Sequence, residues 1–127
     1  MKSLAQTTQD LVDEITSYLE NLPEIRVLDY SETKDIPLIH QEYSNIMVMV
    51  NKLSKLIIKS QLFISKMEIA MNSLSNNTII ESKQKTEIKQ CIYYVQTISK
   101  PLYEEKDRLT KSYFYFEKLY KIYVSPM

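Results

Sequence analysis

The segment 39–74 carries a heptad pattern over five repeats, and no other feature of the sequence restricts the fold as strongly. Its apolar residues recur at alternating steps of three and four. One row contains Tyr43, Val50, Ile57, Ile64 and Met71, and the other contains Ile39, Ile46, Leu53, Met67 and Leu74, interrupted only by Ser60. These rows are the a and d positions of a long helix that packs lengthwise against another helix.

The apolar surface of this helix is wider than a two-stranded coiled coil requires. A third row, at the g positions, contains Met49, Leu56, Phe63 and Ala70, and Val48, Leu62 and Ile69 extend the apolar character further round. A helix that is apolar over this much of its circumference needs several neighbours to cover it. We therefore expect a bundle of three or more helices.

The complete absence of glycine excludes several other folds and sites. Glycine provides the positive φ angles of hairpin turns and the close backbone approach of phosphate-binding loops. A Walker loop and a Rossmann fingerprint are therefore both ruled out, and a β fold with many turns is disfavoured. The sequence predicts an all-α fold.

Prolines and capping residues divide the chain into five predicted segments. They are an N-terminal amphipathic helix at 1–22, an acidic linker at 23–37, a long helix at 38–75, a break or hinge at 76–78, and a long C-terminal helix at 79–124 that is kinked near Pro101. Thr7 or Thr8 is the expected cap of the first helix and Asp35 that of the second, while Thr78 and Glu81 fit a capping box. The break at Asn76-Asn77 leaves two arrangements open, a kinked rod and a helical hairpin.

The third helix repeats the heptad pattern and ends in a cluster of aromatic residues. Glu105 interrupts its seam, and seven of the ten tyrosines of the chain lie in it. Packing of these residues at helical spacing explains them better than base stacking on nucleic acid. The predicted interface with partner helices combines both seams: Tyr43, Ile46, Val50, Leu53, Leu56, Ile57, Phe63, Ile64, Met67, Met71, Ile88, Val95, Ile98, Leu102, Leu109, Phe116 and Leu119.

The sequence contains no recognisable catalytic, cofactor-binding or metal-binding constellation. His40 is the only histidine and Cys91 the only cysteine, so neither a histidine-based metal site nor an internal disulfide can form. The 16 basic and 16 acidic residues balance, which gives no general attraction to nucleic acid. No apolar run resembles a signal peptide or a transmembrane span. We expect a cytoplasmic protein that is not an enzyme and needs no cofactor.

Two stretches resemble subunit 2 of the biogenesis of lysosome-related organelles complex, the BLOC-one complex. The first is Leu11-Val12-Asp13-Glu14-Ile15-Thr16-Ser17-Tyr18-Leu19-Glu20-Asn21-Leu22, and the second is Glu42-Tyr43 followed by Met49-Val50-Asn51-Lys52-Leu53-Ser54. The resemblance implies a helical scaffold subunit of an elongated hetero-oligomer, with other α-helical subunits as partners. It also implies a role in vesicle trafficking, in the biogenesis or positioning of lysosome-related organelles, peripheral to endosomal or lysosomal membranes and associated with them indirectly.

Two alternatives remain open at the level of sequence. Kinetochore, tethering and SNARE-associated complexes contain helical subunits with the same periodicity, so the setting is not defined by the pattern. A self-contained bundle that binds a ligand between its helices is the other alternative. It requires a true hairpin at Asn76-Asn77, which would fold the two long helices together.

Overall fold

Three helices form the part of the chain, residues 2–22, 34–75 and 77–123, that the computed structural model describes. They are α1 (Leu4–Glu20), α2 (Ile36–Asn72) and α3 (Ile79–Tyr123), and no strand occurs among these residues. The expected all-α fold, a short helix followed by two long ones, is confirmed. Most of the predicted acidic linker and Asn76 of the predicted break lie outside the described residues.

The starts of α1 and α2 are set by side-chain caps. Ser3 caps α1, since its hydroxyl accepts a hydrogen bond from the backbone N–H of Gln6 at 3.1 Å. The expected cap at Thr7 or Thr8 is therefore wrong; Thr8 is buried and donates to the carbonyl of Leu4 inside the helix. The expected cap of α2 is confirmed, because Asp35 Oδ1 accepts from the N–H of Leu38 at 3.1 Å.

Glu81 connects the start of α3 to the end of the preceding segment. Thr78 Oγ1 accepts from the N–H of Glu81 at 3.1 Å, which is the first half of the predicted capping box. The carboxylate of Glu81 reaches back to Ser75, accepting from its N–H at 2.8 Å and from its hydroxyl. These hydrogen bonds hold the pKa of Glu81 below its ordinary value, and the one from the Ser75 hydroxyl has the larger effect.

The chain divides into two compact units, and both long helices pass from one to the other. Unit 1 comprises Met1–Asn21 and Lys55–Leu102, and unit 2 comprises Leu22–Ser54 and Tyr103–Met127. In α3 the boundary between the two units falls after Leu102, one residue beyond Pro101, and the chain is helical on both sides of it. The kink near Pro101 remains a prediction.

Unit 1 is a bundle of three helical segments. Its buried apolar residues come from all three: Leu11, Val12 and Ile15 from α1, Leu56, Ile57 and Phe63 from α2, and Ile88, Ile92, Val95 and Leu102 from α3. Leu74, near the end of α2, lines one groove together with Ile88 in the third turn of α3. α2 and α3 therefore form a helical hairpin, which decides between the two arrangements that the sequence left open.

The direction of α1 follows from its contacts in unit 1. Leu4 lines the same groove as Ala70 and Ile88, beside the hairpin turn. Ten residues later, Glu14 pairs with Lys59, which lies eleven residues before Ala70 in α2. α1 therefore runs antiparallel to α2 and parallel to α3. In unit 1, α1 and α3 are the neighbours that the wide apolar surface of α2 requires.

Unit 2 consists of the first half of α2 and the second half of α3, packed antiparallel. Ile39, Ile46 and Phe116 form its buried cluster. Partly buried residues packed around this cluster are Leu38, Tyr43, Val50, Tyr113, Leu119 and Tyr120. Aromatic rings dominate the contact, since Tyr43 stacks on Tyr120 with centroids 4.9 Å apart. The aromatic end of α3 thus packs against the start of α2.

Candidate helix-binding face

The heptad seams that were predicted to bind partner helices are used inside the chain. Ten of the predicted residues are buried: Ile46, Leu53, Leu56, Ile57, Phe63, Ile88, Val95, Leu102, Leu109 and Phe116. The other seven, Tyr43, Val50, Ile64, Met67, Met71, Ile98 and Leu119, are half-buried. The helices of this chain cover these residues within the two units. The seams therefore pack the chain's own helices together, and little of their surface is left for another chain.

A different set of apolar residues is left uncovered on α2 of unit 1. Ile58, Leu62 and Ile69 are 53%, 55% and 70% exposed. Because they are separated by four and seven positions, they lie on one side of the helix. We call these three residues the outer stripe. The sequence indicated this surface in part, because Leu62 and Ile69 extend the apolar rows beyond the seam. Periodicity alone did not show which of the apolar rows would be covered and which would stay exposed.

A groove between α1 and α2 lies beside the outer stripe. Its volume is about 400 Å³. Leu11 of α1 and Leu62, Phe63 and Met67 of α2 provide its apolar lining. Leu62 belongs to both features, so the outer stripe and this α1–α2 groove form one apolar surface. An apolar surface that a fold leaves open is typical of a site where another protein binds.

Charged side chains surround the α1–α2 groove, and most of them pair with each other. Lys2 binds Asp10 at 2.6 Å and Lys59 binds Glu14 at 2.6 Å. The hydrogen bond from Lys2, followed by that from Gln6, holds the pKa of Asp10 below its ordinary value. Lys66 also lines the groove, and among the described residues it has no ion-pair partner. The rim therefore carries one uncompensated positive charge.

A second groove of unit 1 lies between α1 and α3. It has a volume of about 360 Å³ and contains Leu4 and Thr8 of α1 and Cys91 and Tyr94 of α3. Cys91 is a half-buried free thiol that lines this groove, not a fully buried core residue.

The aromatic residues of unit 2 form a hydrogen-bonded network. The hydroxyl of Tyr43 donates to that of Tyr113 at 3.3 Å, and Tyr113 is also hydrogen-bonded to Glu117. Lys121 donates to the carboxylate of Glu117 at 3.1 Å. His40 extends the cluster, with its ring 5.6 Å from that of Tyr120. The rings contact each other closely, so this network joins the two helices of unit 2.

The described residues contain neither a metal-binding cluster nor a membrane span. Residues 2–22, 34–75 and 77–123 hold no group of three or more His, Cys, Asp or Glu side chains placed to bind an ion. No helix in the same ranges has the combination of length and apolar character needed to cross a bilayer.

Comparisons of this chain with protein-family models, with curated proteins and with solved structures find no match. The resemblance to the BLOC-one subunit is neither supported nor contradicted by them, and it remains a prediction.

Proposed function

We propose that the protein is a non-enzymatic helical subunit of a hetero-oligomeric assembly, in which it binds other α-helical proteins. The observation that carries this proposal is the outer stripe of Ile58, Leu62 and Ile69, which continues into the α1–α2 groove. Three large aliphatic side chains on one side of a helix are costly to leave in water and are well suited to contact a second helix.

The burial of the heptad seams supports this location for the contact. Val95, Leu102 and Phe116 are almost fully buried by the helices of the chain, so a partner that needed them would have to open the fold. A partner that binds the outer stripe leaves the packed core unchanged. The chain therefore enters the assembly as a folded unit, with the outer stripe as the binding surface.

The cellular setting that we propose follows the resemblance to the BLOC-one subunit. Under this proposal the assembly acts in the biogenesis or positioning of lysosome-related organelles, and its contact with membranes is indirect. Other helical assemblies, such as kinetochore, tethering or SNARE-associated complexes, fit the surface equally well. The identity of the co-purifying chains distinguishes these settings.

The experiment is native purification of the tagged full-length chain from its own cells, followed by sizing and identification of associated proteins. We expect an assembly larger than the monomer. The variant Ile69→Gln should reduce the amount of assembly, whereas Ile80→Gln, which changes an equally exposed isoleucine (70% for both) on α3, should not. A chain that runs as a monomer at cellular concentration would contradict the proposal.

A second candidate function is favoured by the hairpin that α2 and α3 form. A self-contained bundle that binds a small or lipidic ligand between its helices requires this hairpin, and the α1–α3 groove around Cys91 offers about 360 Å³. Native mass spectrometry of the purified chain tests this candidate. A monomer that retains a stoichiometric small molecule would favour ligand binding over assembly.

A further inference from the structure

We infer that the partner segment seated on the outer stripe and the α1–α2 groove is an acidic amphipathic helix. This inference rests on the proposed function and adds the chemistry of the partner to it. It is carried by the shape of the apolar surface together with the charges around it.

The apolar part of the surface matches one face of a helix. Leu62 lies between Ile58 and Ile69 along α2, and the α1–α2 groove opens beside it with Leu11 and Phe63 in its lining. A partner helix with apolar residues at spacings of three and four would place one row on the outer stripe and direct a second row into the groove.

The charged residues around the apolar surface indicate the sign of the charge on the partner helix. Lys55 lies three residues before Ile58 on the same side of α2, and Lys66 lines the groove. Neither lysine has an ion-pair partner among the described residues. The acids on the α1 side, Asp10 and Glu14, are already paired with Lys2 and Lys59. A glutamate or aspartate at the edge of the partner's apolar face would therefore find uncompensated lysines.

A lipid surface explains this arrangement less well. Interfacial helices insert a convex apolar face into a bilayer, with basic residues along the boundary. Here the apolar surface includes a concave groove lined by Leu11, Phe63 and Met67. The plane of a bilayer leaves such a groove unfilled, whereas a protein helix can place side chains in it.

The test uses the purified full-length chain and two synthetic helical peptides with the same leucine spacing. One peptide carries glutamates beside the leucines, and the other carries lysines. We expect the acidic peptide to bind more tightly, with a preference that weakens as salt is raised. Lys66→Glu should weaken binding of the acidic peptide by about fivefold and strengthen binding of the basic peptide. Lys89→Glu, which makes the same charge change at an exposed position of α3, should do neither.

The apolar contact has its own matched pair of variants. Ile69→Gln should weaken binding of the acidic peptide by more than about tenfold, and Ile80→Gln should leave it unchanged. Circular dichroism of all variants checks that the fold is retained. Equal binding of both peptides, or binding that is insensitive to Ile69→Gln, would overturn the inference. So would absence of peptide binding together with Lys66-dependent binding to phosphatidylserine vesicles.

The outcomes for the two proposals are separable. If the native assembly forms and is reduced by Ile69→Gln but not by Lys66→Glu, the partner is not an acidic helix, while the subunit function stands. If no assembly forms in cells, the subunit function itself is wrong.

Discussion

The hydroxyl of Tyr43 in α2 donates a hydrogen bond to the hydroxyl of Tyr113 in α3, which lies seventy residues further along the chain. Their rings are 5.6 Å apart, and both pack against the buried cluster of unit 2. Tyr113 is hydrogen-bonded in turn to Glu117. This contact aligns the start of α2 with the end of α3.

The network makes unit 2 sensitive to alkaline pH through Tyr113. The hydrogen-bonded contact with Tyr43, and then the one with the carboxylate of Glu117, raise the pKa of Tyr113 above its ordinary value of 10.0, because a phenolate in this place would lose its O–H donor and lie beside a negative charge. A raised pKa in the folded state means that the neutral phenol is favoured there. Its contribution to stability is complete below pH 10 and is lost as the pH rises above that value. Tyr113→Phe should therefore make the stability fall less steeply above pH 10, as measured by urea unfolding from pH 8 to 11. An unchanged slope would contradict this role.

Phe116 is the residue whose removal should most destabilise unit 2. It is only 1% exposed, and its contacts include Ile39 and Ile46. Phe116→Ala removes an aromatic ring from a packed site and should lower the free energy of unfolding by about 3–5 kcal/mol. Phe114→Ala is the control, because Phe114 is 61% exposed two residues away and should change stability by less than about 0.5 kcal/mol. Chemical denaturation of both variants measures the difference, and similar losses would show that the burial is misassigned.

Glu81 should make the hairpin turn sensitive to acid. Its pKa is lowered by the hydrogen bonds from Ser75, so its contribution to stability is present above the ordinary value of 4.5 and is lost as the pH falls below it. Glu81→Gln should therefore reduce the loss of stability between pH 5 and pH 2, as followed by thermal melts monitored by circular dichroism. Ser75→Ala, which removes only the hydroxyl donor, should give an intermediate slope. If Glu81→Gln melts with the same pH dependence as the parent chain, the contact is not formed in solution.

Pro101 interrupts the backbone hydrogen bonds of α3, and its replacement should show how much this interruption costs in stability. Proline inside a helix lacks the N–H donor and crowds the preceding turn, and it costs about 3 kcal/mol relative to alanine in a regular helix. Pro101→Ala should therefore stabilise the chain, with that figure as the upper bound, as measured by urea unfolding. Lys100→Ala, an exposed neighbour, should have an effect below about 0.5 kcal/mol. A destabilised Pro101→Ala variant would show that the buried neighbours Ser99 and Leu102 require the predicted kink.

The helices themselves could be predicted closely because their determinants are local. Asp35 and Thr78 cap the two long helices as expected, and α2 begins at Ile36, two residues before the predicted start, because Pro37 is tolerated in a first turn. The cap of α1 was misplaced because serine and threonine are both favourable caps. Ser3 directly precedes Leu4 and caps the helix, whereas Thr8 is buried inside it, which the local sequence did not reveal.

The candidate site was less predictable because it consists of the apolar residues that no other helix of the chain covers. Leu62 and Phe63 are adjacent and both apolar, yet Phe63 is buried and Leu62 is more than half exposed. Which of the two faces the bundle depends on where α1 and α3 lie, and a heptad count of α2 cannot provide that. Lys59 and Lys66 differ in the same way, because only the position of Glu14 makes Lys59 a paired residue.

The sequence by itself determined the helical class, the lengths of the helices and the residues of their apolar seams, because periodicity and capping act over a few residues. It did not determine which helices cover those seams, since a heptad row fits a helix of the same chain and a helix of another chain equally well. The tertiary structure decided this point. α3 packs back against α2 as a hairpin, so Val95 and Phe116 are buried within the chain, while Ile58, Leu62 and Ile69 remain exposed on the surface.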